Sequence, residues 1–149
     1  MRCAVCGKAA KAGRTEMVRT VTGHAFSATV RAYTCGACGE VFYDDAEVER
    51  VDLAIARALV DAGIESGAAF KLVRKAIGLR AADVAALLKV AKETVSRWET
   101  DKVPIDYGAR ALLGMMLADR EAGATKTQDA LRALAEPKSL GKRIALKVA

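Results

Sequence analysis

The chain has 149 residues, 52% of them apolar, 28% charged and 5% aromatic, with a formal net charge of +6. That length holds one ordinary domain or two small ones, and the apolar share excludes disorder as the default state. No apolar run of about 18 residues occurs, so no membrane-spanning helix is expected, and "MRCAVCGKAA" lacks a secretory signal, which points to the cytoplasm.

The charge is unevenly placed. Residues 1–62 carry 8 Lys/Arg against 8 Asp/Glu, residues 63–110 carry 9 against 6, and residues 111–149 carry 7 against 4. The whole excess therefore lies beyond residue 62. A basic half suits a polyanionic partner, most simply nucleic acid, although a soluble surface with spare lysines fits the charge as well.

All four cysteines fall in two C-x-x-C pairs, Cys3/Cys6 in "CAVCG" and Cys35/Cys38 in "CGACG". Two intervening residues let a tight turn aim both sulfurs at one ion, and the glycine that follows frees the chain to leave that turn. Two such knuckles complete a tetrahedral four-thiolate shell, which predicts one structural Zn²⁺ with Zn–S near about 2.3 Å. A redox dithiol and disulfides are the competing readings; a cytosolic setting disfavours both. Zinc and four thiolates together carry −2, which turns the neutral head acidic. His24, the only histidine, reads as a turn or strand-end residue rather than a ligand.

Between the pairs, "RTEMVRTVTGHAFSATVRAYT" is rich in Thr, Val and aromatics and predicts two short strands around a Thr22-Gly23-His24 turn. "YDDAEVERVDLAIARALVDAG" then predicts a helix capped by Asp44 with Glu47, striped by Val48, Val51, Ile55 and Leu59, and ended by Gly63. "IESGAAF" reads as a linker. The predicted organisation is a head over 1–63, a linker over 64–69, a helical block over 70–123 and a C-terminal helix and tail over 124–149.

Three short helical patterns fill "FKLVRKAIGLRAADVAALLKVAKETVSRWETDKVP". Phe70, Val73 and Ile77 are expected inside, with Lys71, Arg74 and Lys75 outside. Val84, Ala85 and Leu88 form the buried edge of the second helix, and Val95 and Trp98 that of the third. Two helices joined by the brief turn "KVA" make a helix-turn-helix, whose second helix can enter a DNA major groove. Arg97 on its outer face suits bidentate pairing with guanine. Lys92 and Ser96 suit base or phosphate, and Glu93 either accepts from a cytosine or holds Arg97 at i, i+4. Arg74, Arg80, Lys89 and Lys102 are expected on phosphates. An ordinary helical bundle with a solvated face would produce the same alternation.

"DYGARALLGMMLADREAG", capped by Asp106, is apolar around much of its circumference, enough for both core and a dimer interface. The last helix opens with Thr125-x-x-Gln128, a capping-box pattern, carries Leu131 and Leu134, and stops at Pro137. "KSLGKRIALKVA" has four basic side chains and no acidic one, reading as an arm on phosphates or a solubilising end.

The motifs "R-K-x-x-G-L", "D-V-A-x-L-L" and "T-V-S-R-W-E" between Phe70 and Pro104 resemble the Xre/Cro-type helix-turn-helix family. The cysteine head resembles the zinc finger of MqsA-type antitoxins. Together they imply the antitoxin of a type II toxin–antitoxin pair. In such a pair the zinc head binds and neutralises a toxin, often an mRNA-cleaving ribonuclease, and the helix-turn-helix homodimer represses its own operon. Family base contacts map onto Lys92, Glu93, Thr94 and Arg97. This chain departs from the pattern at Lys89, where a glycine is usual, and at Arg80 and Ala91, where polar caps are usual. It departs again at Asp101-Lys102 in place of Gly-Lys and at Glu93 in place of an amide; nothing beyond Gly123 matches.

The expected fold is mainly α, with a small N-terminal zinc-binding β-hairpin domain and a C-terminal Xre-type helix-turn-helix bundle. The expected function is an operator-binding repressor. A solitary regulator without a toxin, and a zinc-stabilised interaction adaptor, are the alternatives. An enzyme is not expected, since the lone histidine is isolated, the metal shell is closed and no phosphate loop occurs.

Overall fold

The computed structural model describes residues 1–149. Strands β1 (Ala10–Val21) and β2 (His24–Cys35) form an antiparallel hairpin, and β3 (Val41–Phe42) pairs with the end of β2. Helices α1 (Asp45–Asp61), α2 (Gly67–Ile77), α3 (Ala81–Leu88), α4 (Lys92–Glu99), α5 (Tyr107–Glu121) and α6 (Lys126–Ala135) follow. The architecture is mainly α with a small β head carrying four clustered cysteines.

The strands are not short: each runs 12 residues in unbroken register from Ala10↔Cys35 to Val21↔His24. The turn is Thr22-Gly23, with His24 already in β2. Both turn residues have positive φ, 53° and 78°, the twist a two-residue hairpin turn requires. Alternate side chains meet the core, Met17 from β1 and Val30 from β2, whereas Val18 points to solvent. The brief β3 has no signal of its own in the sequence. It stacks Phe42 on Tyr33, ring centroids 5.4 Å apart.

On α1, Val51, Ile55 and Leu59 are buried as the stripe predicts. The expected cap is corrected: Asp44 makes no side-chain cap bond, and Glu47 does not reach back to it. Glu47 is instead buried and accepts from Arg31 Nε of β2 at 2.8 Å and from Arg50. The Arg31 hydrogen bond holds its carboxyl below the usual carboxylate range. Arg19 of β1 meets Asp52 of α1 at 2.9 Å, so ion pairs strap the hairpin to the helix at two places.

The stretch 64–69 is packed, which corrects the expected linker. Ile64 and Ala69 are buried, Ser66 caps α2 by accepting from the Ala69 N–H at 3.2 Å, and Gly67 already belongs to the helix. One apolar core runs from Met17 and Val30 through α1 into α2, α4 and α5, where Phe70, Leu113, Met116 and Leu117 are fully buried. Asp106 caps α5 as expected, its Oδ2 accepting from the Ala109 N–H at 2.9 Å. The Thr125–Gln128 capping box does not form; Asp119 of α5 accepts the Thr127 N–H at 2.6 Å and caps α6 from outside. Leu131 is half-buried and Leu134 exposed, and no helix or strand follows Ala135.

Gly67 lies where α2 crosses the end of α4. A Cβ there would collide with the Trp98 carbonyl oxygen and come within 2.6 Å of the Glu99 backbone. Backbone cannot step aside as a side chain can. Gly67→Ala is therefore expected to cost about 3 kcal/mol, read as a drop in denaturant midpoint at constant slope; an unchanged midpoint would disprove the close approach.

Candidate metal centre and nucleic-acid interface

The two C-x-x-C turns have the same local geometry. In the first, the Cys3 N–H donates to Lys8 O and the Gly7 N–H to Cys3 O at 2.9 and 2.8 Å; in the second, Cys35 N–H to Glu40 O and Gly39 N–H to Cys35 O, both 2.9 Å. Gly7 and Gly39 leave the turns at φ 71° and 74°, a conformation that costs a side-chain-bearing residue about 1–2 kcal/mol. The hairpin register carries Ala10 to Cys35, which closes the knuckles on each other.

The four sulfurs lie within 4.8 Å of one another, with Cys3–Cys38 at 3.6 Å and Cys6–Cys35 at 3.5 Å. A tetrahedron with metal–sulfur bonds of about 2.3 Å has sulfur–sulfur edges of about 3.8 Å, so the shell fits a tetrahedral ion. The same separations are far beyond a disulfide bond of about 2.05 Å, and all four cysteines are free. The Ala37 and Cys38 N–H groups lower the Cys35 thiol to about 6, while hydrogen bonding to the Cys35 sulfur raises Cys6 and Cys38, so without an ion the four close sulfurs hold their protons unequally. His24 stands at the opposite end of the hairpin, exposed and away from the sulfurs.

Helices α3 and α4 form the second site. Lys89 and Val90 close α3 through N–H bonds to Ala86 and Ala85 carbonyls, with Lys89 left-handed at φ 56°. That conformation is the reason glycine is usual at this place in the related motif, and lysine bears its cost. On α4, Val95 and Trp98 are buried, Trp98 meeting Phe70 edge-on at 5.8 Å between centroids. Lys92, Glu93, Ser96 and Arg97 are exposed and Thr94 is half-buried. Glu93 and Arg97 form no ion pair with each other, so the i, i+4 clamp weighed for Glu93 is not formed. Lys89 and Lys102 are exposed near the two ends of this face. Arg80, also exposed, grips Asp83 with two nitrogens at 3.0 and 2.8 Å.

Arg74 does not belong to this surface. Its side chain is 8% exposed; Nε and Nη2 donate to Glu99 at 2.5 and 3.2 Å, and Nη1 donates to Leu79 O at 2.8 Å. A guanidinium so enclosed cannot reach a phosphate, and the outward placement expected for it is corrected. Its spacing carried the signal: Arg74 follows Phe70 by four and precedes Ile77 by three, squarely on the apolar stripe. Glu99, four beyond Val95, occupies the matching position on α4.

Asp101 takes the tight turn that its place after the third helix implies, but its bond to α2 carries no signal in the sequence. At φ 55° it turns the chain after α4, and its Oδ1 accepts the Gly67 N–H at 2.7 Å, tying α4 to the start of α2.

Removing one member of a buried pair strands the other. Arg74→Ala is expected to cost about 3–5 kcal/mol of stability, with Arg74→Leu/Glu99→Leu recovering most of it. A stability-neutral Arg74→Ala in thermal or denaturant unfolding would return this residue to the surface.

Residues 1–124 match a family described as the antitoxin component of bacterial toxin–antitoxin system, MqsA, a span that takes in the four-cysteine head and helices α1 to α5. No curated protein and no solved structure matches the chain. No helix is long and apolar enough to cross a membrane. With the head, the paired knuckles and the two-faced α4 all inside the matched span, the chain belongs to the MqsA family of antitoxins.

Proposed function

We propose that this antitoxin is a cytoplasmic, non-enzymatic DNA-binding repressor. It holds one Zn²⁺ in its head, binds operator DNA as a homodimer through α4, and binds a toxin, an mRNA-cleaving ribonuclease in the family pattern, through the head. The observation that carries the DNA reading is the two-faced α4. Its inner face is locked by Val95 and Trp98, and its outer face offers Lys92, Glu93, Ser96 and Arg97 without an ion-pair partner on the chain. Arg97 is the base reader in this scheme; Arg80, Lys89 and Lys102 contact phosphate and fix register. Thr94 takes a smaller part because it is partly buried.

Zinc is the ion proposed because four soft thiolates in a closed tetrahedral shell suit it and leave no position for water or substrate. When bound, it supplies a cross-link between the two ends of the hairpin. Toxin binding at the head is supported by the family membership and by β1, whose outer edge has no neighbouring strand and offers backbone groups to a partner. Exposed Tyr107 and Met115 on α5, beside Val60 and Ala118, are the apolar surface left for a twofold contact once Leu113, Met116 and Leu117 are buried.

Arg97→Ala is expected to cost about 1–3 kcal/mol on the operator and much less on random duplex. Equal losses on both, in titrations at matched salt, would contradict base reading. The purified chain should carry one zinc. Cys35→Ser should remove it and abolish toxin capture, while helix content and operator binding persist. Metal-free wild-type protein, or undiminished capture by the variant, would refute the role given to the head.

A further inference from the structure

We propose that residues 137–149 are a basic arm that lies along the phosphate backbone of the duplex held by α4; the proposal rests on the DNA-binding reading above. The segment carries Lys138, Lys142, Arg143 and Lys147 and no acidic residue. It lies beyond residues 1–124, the span matched by the antitoxin family. Every residue in it is exposed, and none takes part in a helix or strand. The ion pairs of the structure end at Arg132–Asp129, leaving all four cations without a carboxylate.

The place where the arm begins gives this charge a direction. Leu131 and Ala135 of α6 share a cleft with Leu79, Asp83 and Leu87, so α6 is seated on α3. In a helix-turn-helix, the helix before the recognition helix crosses the phosphate backbone. Here that helix is α3, and the arm departs from the element packed on it. Thirteen extended residues span at most about 43 Å, more than the roughly 34 Å of one duplex turn. The arm can therefore follow the backbone past the site that α4 occupies.

Ile144, Leu146 and Val148 are exposed and alternate with Arg143 and Lys147, so an extended 143–148 stretch has one apolar edge and one edge with two cations. That pattern would also suit an anionic lipid surface. Continuity with the basic helix-turn-helix favours DNA, and the lipid alternative becomes an outcome of the test.

The experiment compares the full chain with a chain ending at Glu136 and with Lys138→Gln/Lys142→Gln/Arg143→Gln/Lys147→Gln. Both variants alter only unpacked residues. Affinity for operator and for random duplex is measured from 50 to 200 mM salt. The arm predicts that the slope of log affinity against log salt becomes shallower by up to about 3.6 per chain, at about 0.9 per phosphate contact. Affinity should fall at least tenfold on both duplexes at the lowest salt, with the operator-to-random ratio retained. Unchanged slope and affinity, while the full chain binds, would overturn the arm alone. No complex with the full chain would overturn the operator reading and the arm with it. Arm-dependent binding to phosphatidylserine-containing vesicles with an unchanged DNA slope would assign the segment to lipid and overturn the proposal.

Discussion

The seating of α4 is the constraint on which the rest of the molecule depends. An eight-residue helix cannot hold its own shape in water, because nucleating it costs more than its few hydrogen bonds return. Val95 and Trp98 bury its inner side, Arg74 holds Glu99 at its last turn, and Asp101 ties the chain beyond it to the Gly67 N–H. These contacts fix rotation about the helix axis as well as position. A rotation by one residue, about 100°, would bring Arg97 or Ser96 inward and expose the indole. The outer face is therefore specified by what the inner face cannot give up.

The same economy governs the head. A hairpin of two strands is marginal alone, and this one is held at its open end and along its length by different means. At one end the four thiolates gather the strand termini. Along its length, Met17 and Val30 enter the common core while Arg31–Glu47 and Arg19–Asp52 bridge to α1. The Glu47 carboxylate is nearly buried between two guanidinium groups, so its charge is compensated where an isolated carboxylate would be expelled. The turn end, Thr22-Gly23, has no such attachment and projects with its outer strand edge free.

What could be read in the sequence was local and periodic. The paired cysteines, the α1 stripe, the Asp106 cap and the two faces of α4 each depend on residues within a few positions of one another. The misreadings share another cause: a partner that lies outside the local motif. Glu47 looked like a capping residue and is claimed by Arg31; Thr125 looked like a cap and is displaced by Asp119; Arg74 looked like a surface cation and is enclosed by Glu99. In each case a tertiary ion pair or hydrogen bond overrides the local rule. In "IESGAAF" the opposite holds: small residues suggest looseness where the chain is in fact tightly packed. Gly67 is small since another backbone passes against it.

Charge distribution connects the two ends of the molecule. Residues 1–62 are neutral by count, and the basic excess of six lies beyond them. Zinc held by four thiolates would bring the head to −2. A duplex approaching such a chain is attracted by the helical block and repelled by the head, within a Debye length of about 8 Å at physiological salt. Under the proposed operator binding, orientation on DNA would follow from charge before any base is read: the helical block would turn inward, and the head away from the backbone. A head held off the phosphates keeps its free strand edge open, so the proposed toxin and operator contacts need not compete for the same surface.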